Sequence, residues 1–148
     1  MGNLQLTSSA FSHGEEIPRK CGYKNGNYSP FLTFSGIPEG TESLTFIMDD
    51  PDAMGAVGKV WVHWVVWNID PTATENLQDA TEGMTDFGEA AYGGPAPPDK
   101  RHTYVFKLYA LDCKVLPCIG GKATKPEVET AMEGYIIEQA ILKGTYAP

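Results

Sequence analysis

The densest group of chemically able side chains in this sequence is Asp49-Asp50-Pro51-Asp52. Three carboxylates packed this closely repel one another and need solvent, hydrogen-bond donors or a cation beside them. A solvated turn after a strand satisfies that need, and so would a calcium loop. Taking Asp50 as position one of such a loop puts Asp52 at three and Gly55 at six. Met54 then falls at five and Trp61 at twelve, where a bidentate acid belongs, so the calcium reading fails. His63 comes next, inside the apolar run Val60 to Ile69, where strand alternation gives it the face of Trp61, Val65 and Trp67. There it is either a buried neutral histidine bonded to a neighbour or a rigid, partly desolvated donor at a pocket floor.

The stretch Tyr92-Gly93-Gly94-Pro95-Ala96-Pro97-Pro98 cannot be regular structure. Its glycines allow close backbone approach and its prolines stiffen the second half. It reads as a rigid surface loop, or as a pocket rim offering backbone N–H groups to an anion. Lys100, Arg101, His102 and Tyr104 come directly after it, and the shared parity of His102 and Tyr104 turns both to one face as a strand begins. His13 lies in a polar segment and looks incidental to this group.

Aspartate, two histidines and a tyrosine around one pocket could perform general acid–base chemistry, which makes a hydrolytic or acid–base enzyme the alternative function. Against it, no serine or cysteine occupies a recognisable nucleophile elbow and no Ser-His-Asp order is evident. Cys21, Cys113 and Cys118 are an odd count without a CxxC pair, which predicts reduced thiols, no disulfide and no structural zinc.

These residues must be held by strands. Leu4 to Phe11, Tyr28 to Phe34, Ser43 to Met48, Val60 to Ile69 and Thr103 to Leu111 read as β segments, and 16 glycines and 11 prolines supply frequent turns. Val60 to Ile69 is apolar on both alternating faces, which predicts a strand covered on both sides and central in its sheet. One helix is expected. Thr124 and Glu127 suggest a capping box, and Pro126 suits a first turn. Val128, Ala131, Met132, Tyr135 and Ile136 keep helical spacing, Lys143 suits the negative end, and Gly144 can stop it. Gly134 is the weak point in the middle. Strands and helices do not alternate regularly, so the fold class is mainly β and antiparallel, with a C-terminal helix and few other short helices.

The 148 residues suit one domain with one sizeable core, and 42% apolar against 20% charged residues needs no disulfide or metal staple. Nineteen acidic against eleven basic residues give a net charge of -8, which argues against general nucleic-acid binding and against docking on anionic lipid surfaces. Neither a secretory pattern in Met1 to Ala10 nor a bilayer-length apolar run is visible, so a cytoplasmic protein without a membrane span is expected.

Asp50-Pro51-Asp52-Ala53, then Trp61-Val62-His63, then Gly94-Pro95 with His102 and Tyr104 after them, resemble the phosphatidylethanolamine-binding protein family, in its bacterial and archaeal Raf-kinase-inhibitor-like branch. The flanks agree: Ser29-Pro30-Phe31-Leu32-Thr33-Phe34 resembles that branch's Ser-Pro-Pro-Leu-Ser-Trp, and Leu142-Lys143-Gly144-Thr145-Tyr146 its closing Leu-x-Gly-Thr-Tyr. Each motif alone is weak, but five in order are specific. Two positions depart from the pattern: Met54 stands for a proline and Thr103 for an arginine. The resemblance implies a single antiparallel β-sandwich-like domain and a pocket for a small anion such as phosphate, acetate or a phospholipid head group. It implies a site of Asp50, Asp52, Trp61, His63, Gly94, Pro95, His102 and Tyr104. Two histidines and an aspartate could hold a metal but could equally hold phosphate, and no metal and no cofactor are expected. His63 and His102 would donate to the anion, at least one of them in its protonated form. Gly94 would offer its N–H, and Asp50 and Asp52 would orient the histidines or accept from a head-group amine. A kinase or protease as regulated partner, and a homodimer, belong to the same implication.

Overall fold

The strand that ends in Asp49-Asp50 is the centre of the molecule. In the computed structural model, which describes residues 3–72, 80–116 and 120–148, every residue of this strand is buried. The elements in chain order are β1 (Gln5–Ser8), β2 (Leu32–Ser35), β3 (Ser43–Asp50), the short helix α1 (Ala53–Val57), β4 (Trp61–Ile69), β5 (Thr81–Glu82), β6 (His102–Leu111), α2 (Lys125–Met132) and β7 (Ile136–Tyr146). β1 and β2 form a two-stranded antiparallel sheet. The other five strands form an antiparallel sheet in the order β5-β4-β3-β6-β7. Cys118 lies outside the described residues.

Both faces of the larger sheet are covered. On one face Phe46, Met48, Trp64, Tyr104, Phe106 and Leu108 pack with Leu4, Leu6, Leu32 and Phe34 of the small sheet. On the other, Ile47, Val65, Trp67, Tyr109 and Leu111 pack with Val128 and Met132 of α2. Burying side chains of this size stabilises the fold by about 1.5–3 kcal/mol each. The mainly β, sandwich-like architecture expected from the sequence is therefore present. The expectation that Val60 to Ile69 is central needs correcting: β4 lies one strand from the edge, flanked by the two-residue β5. Its doubly apolar pattern reflects the two covering layers, which act on an off-centre strand as well as on a central one.

The helix also ends earlier than its spacing suggested. The capping box forms, with the Thr124 N–H donating to Glu127 Oε1 at 2.9 Å. α2 then stops at Met132, and Gly134 takes a left-handed φ of +86° that breaks the helical path. Ile136–Tyr146 is a strand paired along β6, with Ala140, Leu142, Gly144 and Tyr146 alternating inward. Tyr135 and Ile136, read as helical, sit beyond the helix end because ten residue pairs with β6 outweigh a short run of helical spacing. Among the described residues no helix is long and apolar enough to cross a membrane.

Candidate functional site

The two adjacent acids at the end of β3 point to opposite faces of the sheet, and each is satisfied differently. Asp49 faces α2, where Lys125 Nζ donates to its Oδ2 at 2.7 Å and Lys107 Nζ at 3.3 Å. Asp50, 3% exposed, faces the other way into a cavity of about 150 Å3. The cavity is bounded by α1, by Trp61 and His63 of β4, by Phe87, by Ala96 and Pro98, and by His102 and Tyr104 of β6. The acids are thus not a solvated turn, because both are buried and both carboxylates have charged partners.

A break in the β3–β4 register creates the site. Met48 pairs with Trp64 but Asp49 pairs with Val62, so His63 is an extra residue, a β-bulge. Below the bulge, Val65 and Trp67 face the α2 side, as strict alternation requires. Above it, Val62 packs on that same side and Trp61 turns to the cavity opposite. The single face expected for Trp61, His63, Val65 and Trp67 is therefore split. His63 joins Tyr104, whose ring centroid is 5.2 Å away, rather than Trp67.

The bulge leaves the His63 backbone outside the ladder, and the glycine loop takes it up. Gly93 N–H donates to the His63 carbonyl at 2.9 Å, and the His63 ring donates from Nδ1 to the Gly93 carbonyl at 2.7 Å. A carbonyl can only accept, so Nδ1 carries the proton and, in the neutral ring, Nε2 is the lone-pair nitrogen. Among the described residues Nε2 has no hydrogen-bond partner. Burial holds His63 below the ordinary imidazole value despite the Gly93 bond and the nearby Asp50 charge, which favours the neutral ring.

His102 is held differently. Its Nδ1 meets Asp50 Oδ2 at 2.6 Å and its Nε2 meets Asp99 Oδ1 at 2.7 Å. Burial pushes this ring down, but the bonds to Asp50 and Asp99 outweigh it and leave the imidazolium favoured above its usual range. With both nitrogens committed to carboxylates, His102 has no donor left for an anion. Tyr104 is fully buried beside Asp50, and among the described residues its hydroxyl makes no well-formed hydrogen bond, although Asp50 and the Ala96 backbone lie close to it. Burial first, and then the Asp50 charge, push its phenol far above the ordinary value, so it keeps its proton.

Of the eight residues singled out in the sequence, Asp50, Trp61, His63, His102 and Tyr104 line the cavity. Asp52, Gly94 and Pro95 do not. Asp52 accepts the Thr103 N–H on Oδ2 at 2.9 Å and ties α1's entry to β6, while its own N–H donates to Asp50 Oδ1. The Gly94 N–H donates to Asn27 Oδ1 at 2.7 Å, and the Gly93 N–H is already taken. The backbone donors expected at the rim are thus spent inside the protein. Gly94 is needed for contact: a Cβ there would lie 1.9 Å from the Cys21 carbonyl oxygen. The Pro95 carbonyl accepts the Tyr23 N–H, and its ring faces a separate cavity beside Arg19 and Tyr146.

Three residues of the site went unread. Asp99 precedes His102 by three residues, a spacing that could have signalled it. Asn27 braces the loop from a left-handed φ of 56° and is remote in sequence. Phe87, T-shaped to His63 and Trp61 and stacked on Tyr23, carries no motif. No group of three metal-ligating side chains assembles among the described residues.

The family model for phosphatidylethanolamine-binding protein matches residues 7–147. A UPF0098 protein of Chlamydia muridarum is 43% identical over 97% of this chain and 98% of its own length. One from Methanothermobacter thermautotrophicus is 41% identical with the same coverage. Among solved structures, a phosphatidylethanolamine-binding protein homolog from Chlamydia trachomatis superposes with a TM-score of 0.88 at 40% identity, covering 97% of this chain and 96% of that one. YbcL of E. coli, described as a member of the mammalian family, gives 0.88 at 33% identity, covering 98% of both chains.

Proposed function

Since the chain belongs to the phosphatidylethanolamine-binding protein family, we propose that it is a binding protein whose cavity holds a small oxyanion, phosphate or a phosphorylated head group. The observation that carries this reading is the Tyr104 hydroxyl, a buried donor without a partner among the described residues, at a cavity that His63 also lines. Buried polar groups are almost always paired, so an unpaired donor at a small cavity marks the place of a ligand. Binding rather than catalysis is favoured because the described lining contains no serine, threonine or cysteine. His102 has neither nitrogen free to act as a base.

Electrostatics make the binding modest. One imidazolium stands between Asp50 and Asp99, so this triad is net negative and resists a dianion. The ceiling of about 1.5 kcal/mol per non-hydrogen atom holds five-atom phosphate to roughly micromolar affinity at best. Calorimetric titration of inorganic phosphate and phosphoethanolamine into anion-free protein tests the reading. One saturable site weakened by Tyr104→Phe is expected. Absence of saturation through the millimolar range for both ligands overturns it.

A further inference from the structure

The cavity offers an oxyanion a lone pair as well as a proton. His63 Nδ1 must donate to the Gly93 carbonyl at 2.7 Å, and the buried ring presents Nε2 to the cavity as an acceptor. An acceptor in an anion site repels an oxygen that has no hydrogen and welcomes one that has. Sulfate and phosphodiesters carry no ionisable hydrogen near neutral pH. Hydrogen phosphate does, and a phosphate monoester does below its second ionisation near pH ~6.

We infer that His63 makes the pocket selective for the monoprotonated form of inorganic phosphate or of a phosphate monoester, and makes it discriminate against sulfate and against phosphodiesters, intact lipid head groups included. The inference rests on the oxyanion reading and narrows it. In the bound state the ligand's P–OH donates to His63 Nε2, and a second phosphate oxygen accepts from the Tyr104 hydroxyl.

The acidic groups around His63 favour its protonated ring, and burial outweighs them. Asp50 from β3 lies within reach of its charge, Asp49 lies behind it on the far face, and β6 contributes the His102 imidazolium and the protonated Tyr104. α1 brings no titratable side chain, and the loop brings Tyr92, whose hydroxyl is turned away to the Cys21 carbonyl. The negative triad adds a preference for a monoanion over a dianion, so the test must hold charge constant.

Methyl phosphate, dimethyl phosphate and methyl sulfate are suitable probes, all predominantly monoanions at pH ~5.5 and differing in whether a P–OH is present. Calorimetry at that pH should show methyl phosphate binding roughly 10- to 100-fold more tightly than either of the others, the range set by leaving a buried acceptor facing a lone pair. Inorganic phosphate in a parallel titration separates the free ion from the monoester as the better occupant. Methyl phosphate affinity should then fall about tenfold per pH unit above its second ionisation, while methyl sulfate stays flat. A 15N spectrum of the ligand-free protein at the same pH should show His63 protonated on Nδ1 alone. Equal affinities for the three esters, or a doubly protonated His63 ring, would overturn the inference while leaving the oxyanion reading standing. Failure of every phosphate probe to bind overturns both.

Discussion

Replacing Tyr104 with phenylalanine should make the protein more stable and a worse binder. The ring is fully buried and is packed against the His63 and His102 rings at centroid distances of 5.2 and 6.3 Å. Phenylalanine keeps those contacts and removes a hydroxyl that has no partner among the described residues. An unsatisfied buried hydroxyl costs about 1–3 kcal/mol, so the substitution should recover about 1 kcal/mol in the ligand-free protein. For 148 residues, an unfolding entropy of about 2.1 cal/mol/K per residue turns that into a rise in Tm of roughly 3 °C. Binding moves the other way. A hydrogen bond to a charged acceptor is worth about 1.5–3 kcal/mol, so phosphate affinity should drop at least tenfold. Differential scanning calorimetry with and without saturating phosphate reads both effects on one sample: the variant's melting point starts higher and gains less from ligand. A variant that melts several degrees below the wild type would show that the hydroxyl has a partner in the folded protein. The reasoning that makes it a ligand donor would then fail.

The two cavity histidines should give pH profiles of opposite slope. His63 is held below its unfolded value near pH ~6.5, so the unfolded chain binds the extra proton and stability falls as pH drops below ~6.5. His102 is held above it, so its contribution is full below pH ~6.5 and is lost as pH rises through the folded value. Urea denaturation of His63→Phe should flatten the acid side and of His102→Phe the alkaline side; the same side flattening in both variants would contradict these assignments. Gly94→Ala should destabilise by about 3 kcal/mol or more, because the added Cβ meets a backbone carbonyl that cannot rotate away; an unchanged denaturation midpoint would mean that the loop moves freely. The double substitution Lys107→Met with Lys125→Met strands Asp49, 1% exposed, without a counter-charge and should cost about 3–5 kcal/mol. Adding Asp49→Leu should recover most of that loss, and no recovery would mean that the lysines act through packing alone.

What could be read from the sequence depended on how local its cause was. The Thr124–Glu127 cap spans three residues and was legible, as were β1 to β4, β6 and the shared face of His102 and Tyr104. The burial of Asp49-Asp50 was not, because their partners are remote: Lys107 and Lys125 lie 58 and 76 residues from Asp49, and His102 lies 52 from Asp50. An acidic run ending at a proline looks like a solvated turn until those residues arrive. The helix was overextended because positions 140, 142, 144 and 146 carry a period-two pattern that becomes decisive only once β6 lies beside them. His63 is the instructive case. Its importance was readable from its type and neighbours, but its direction was not, because alternation assumes an unbroken ladder. One extra residue between the Met48–Trp64 and Asp49–Val62 pairs puts His63 and Trp64 on the same side. It also brings Trp61 to the cavity and frees a backbone carbonyl to which the Gly93 loop attaches. Without the bulge, the imidazole would join Val65 and Trp67 in the α2 core, where Nδ1 could not reach the Gly93 carbonyl and the ring would lose the bond that sets its tautomer. The site's chemistry thus depends on a register shift, a property of two paired strands that neither strand's sequence carries alone.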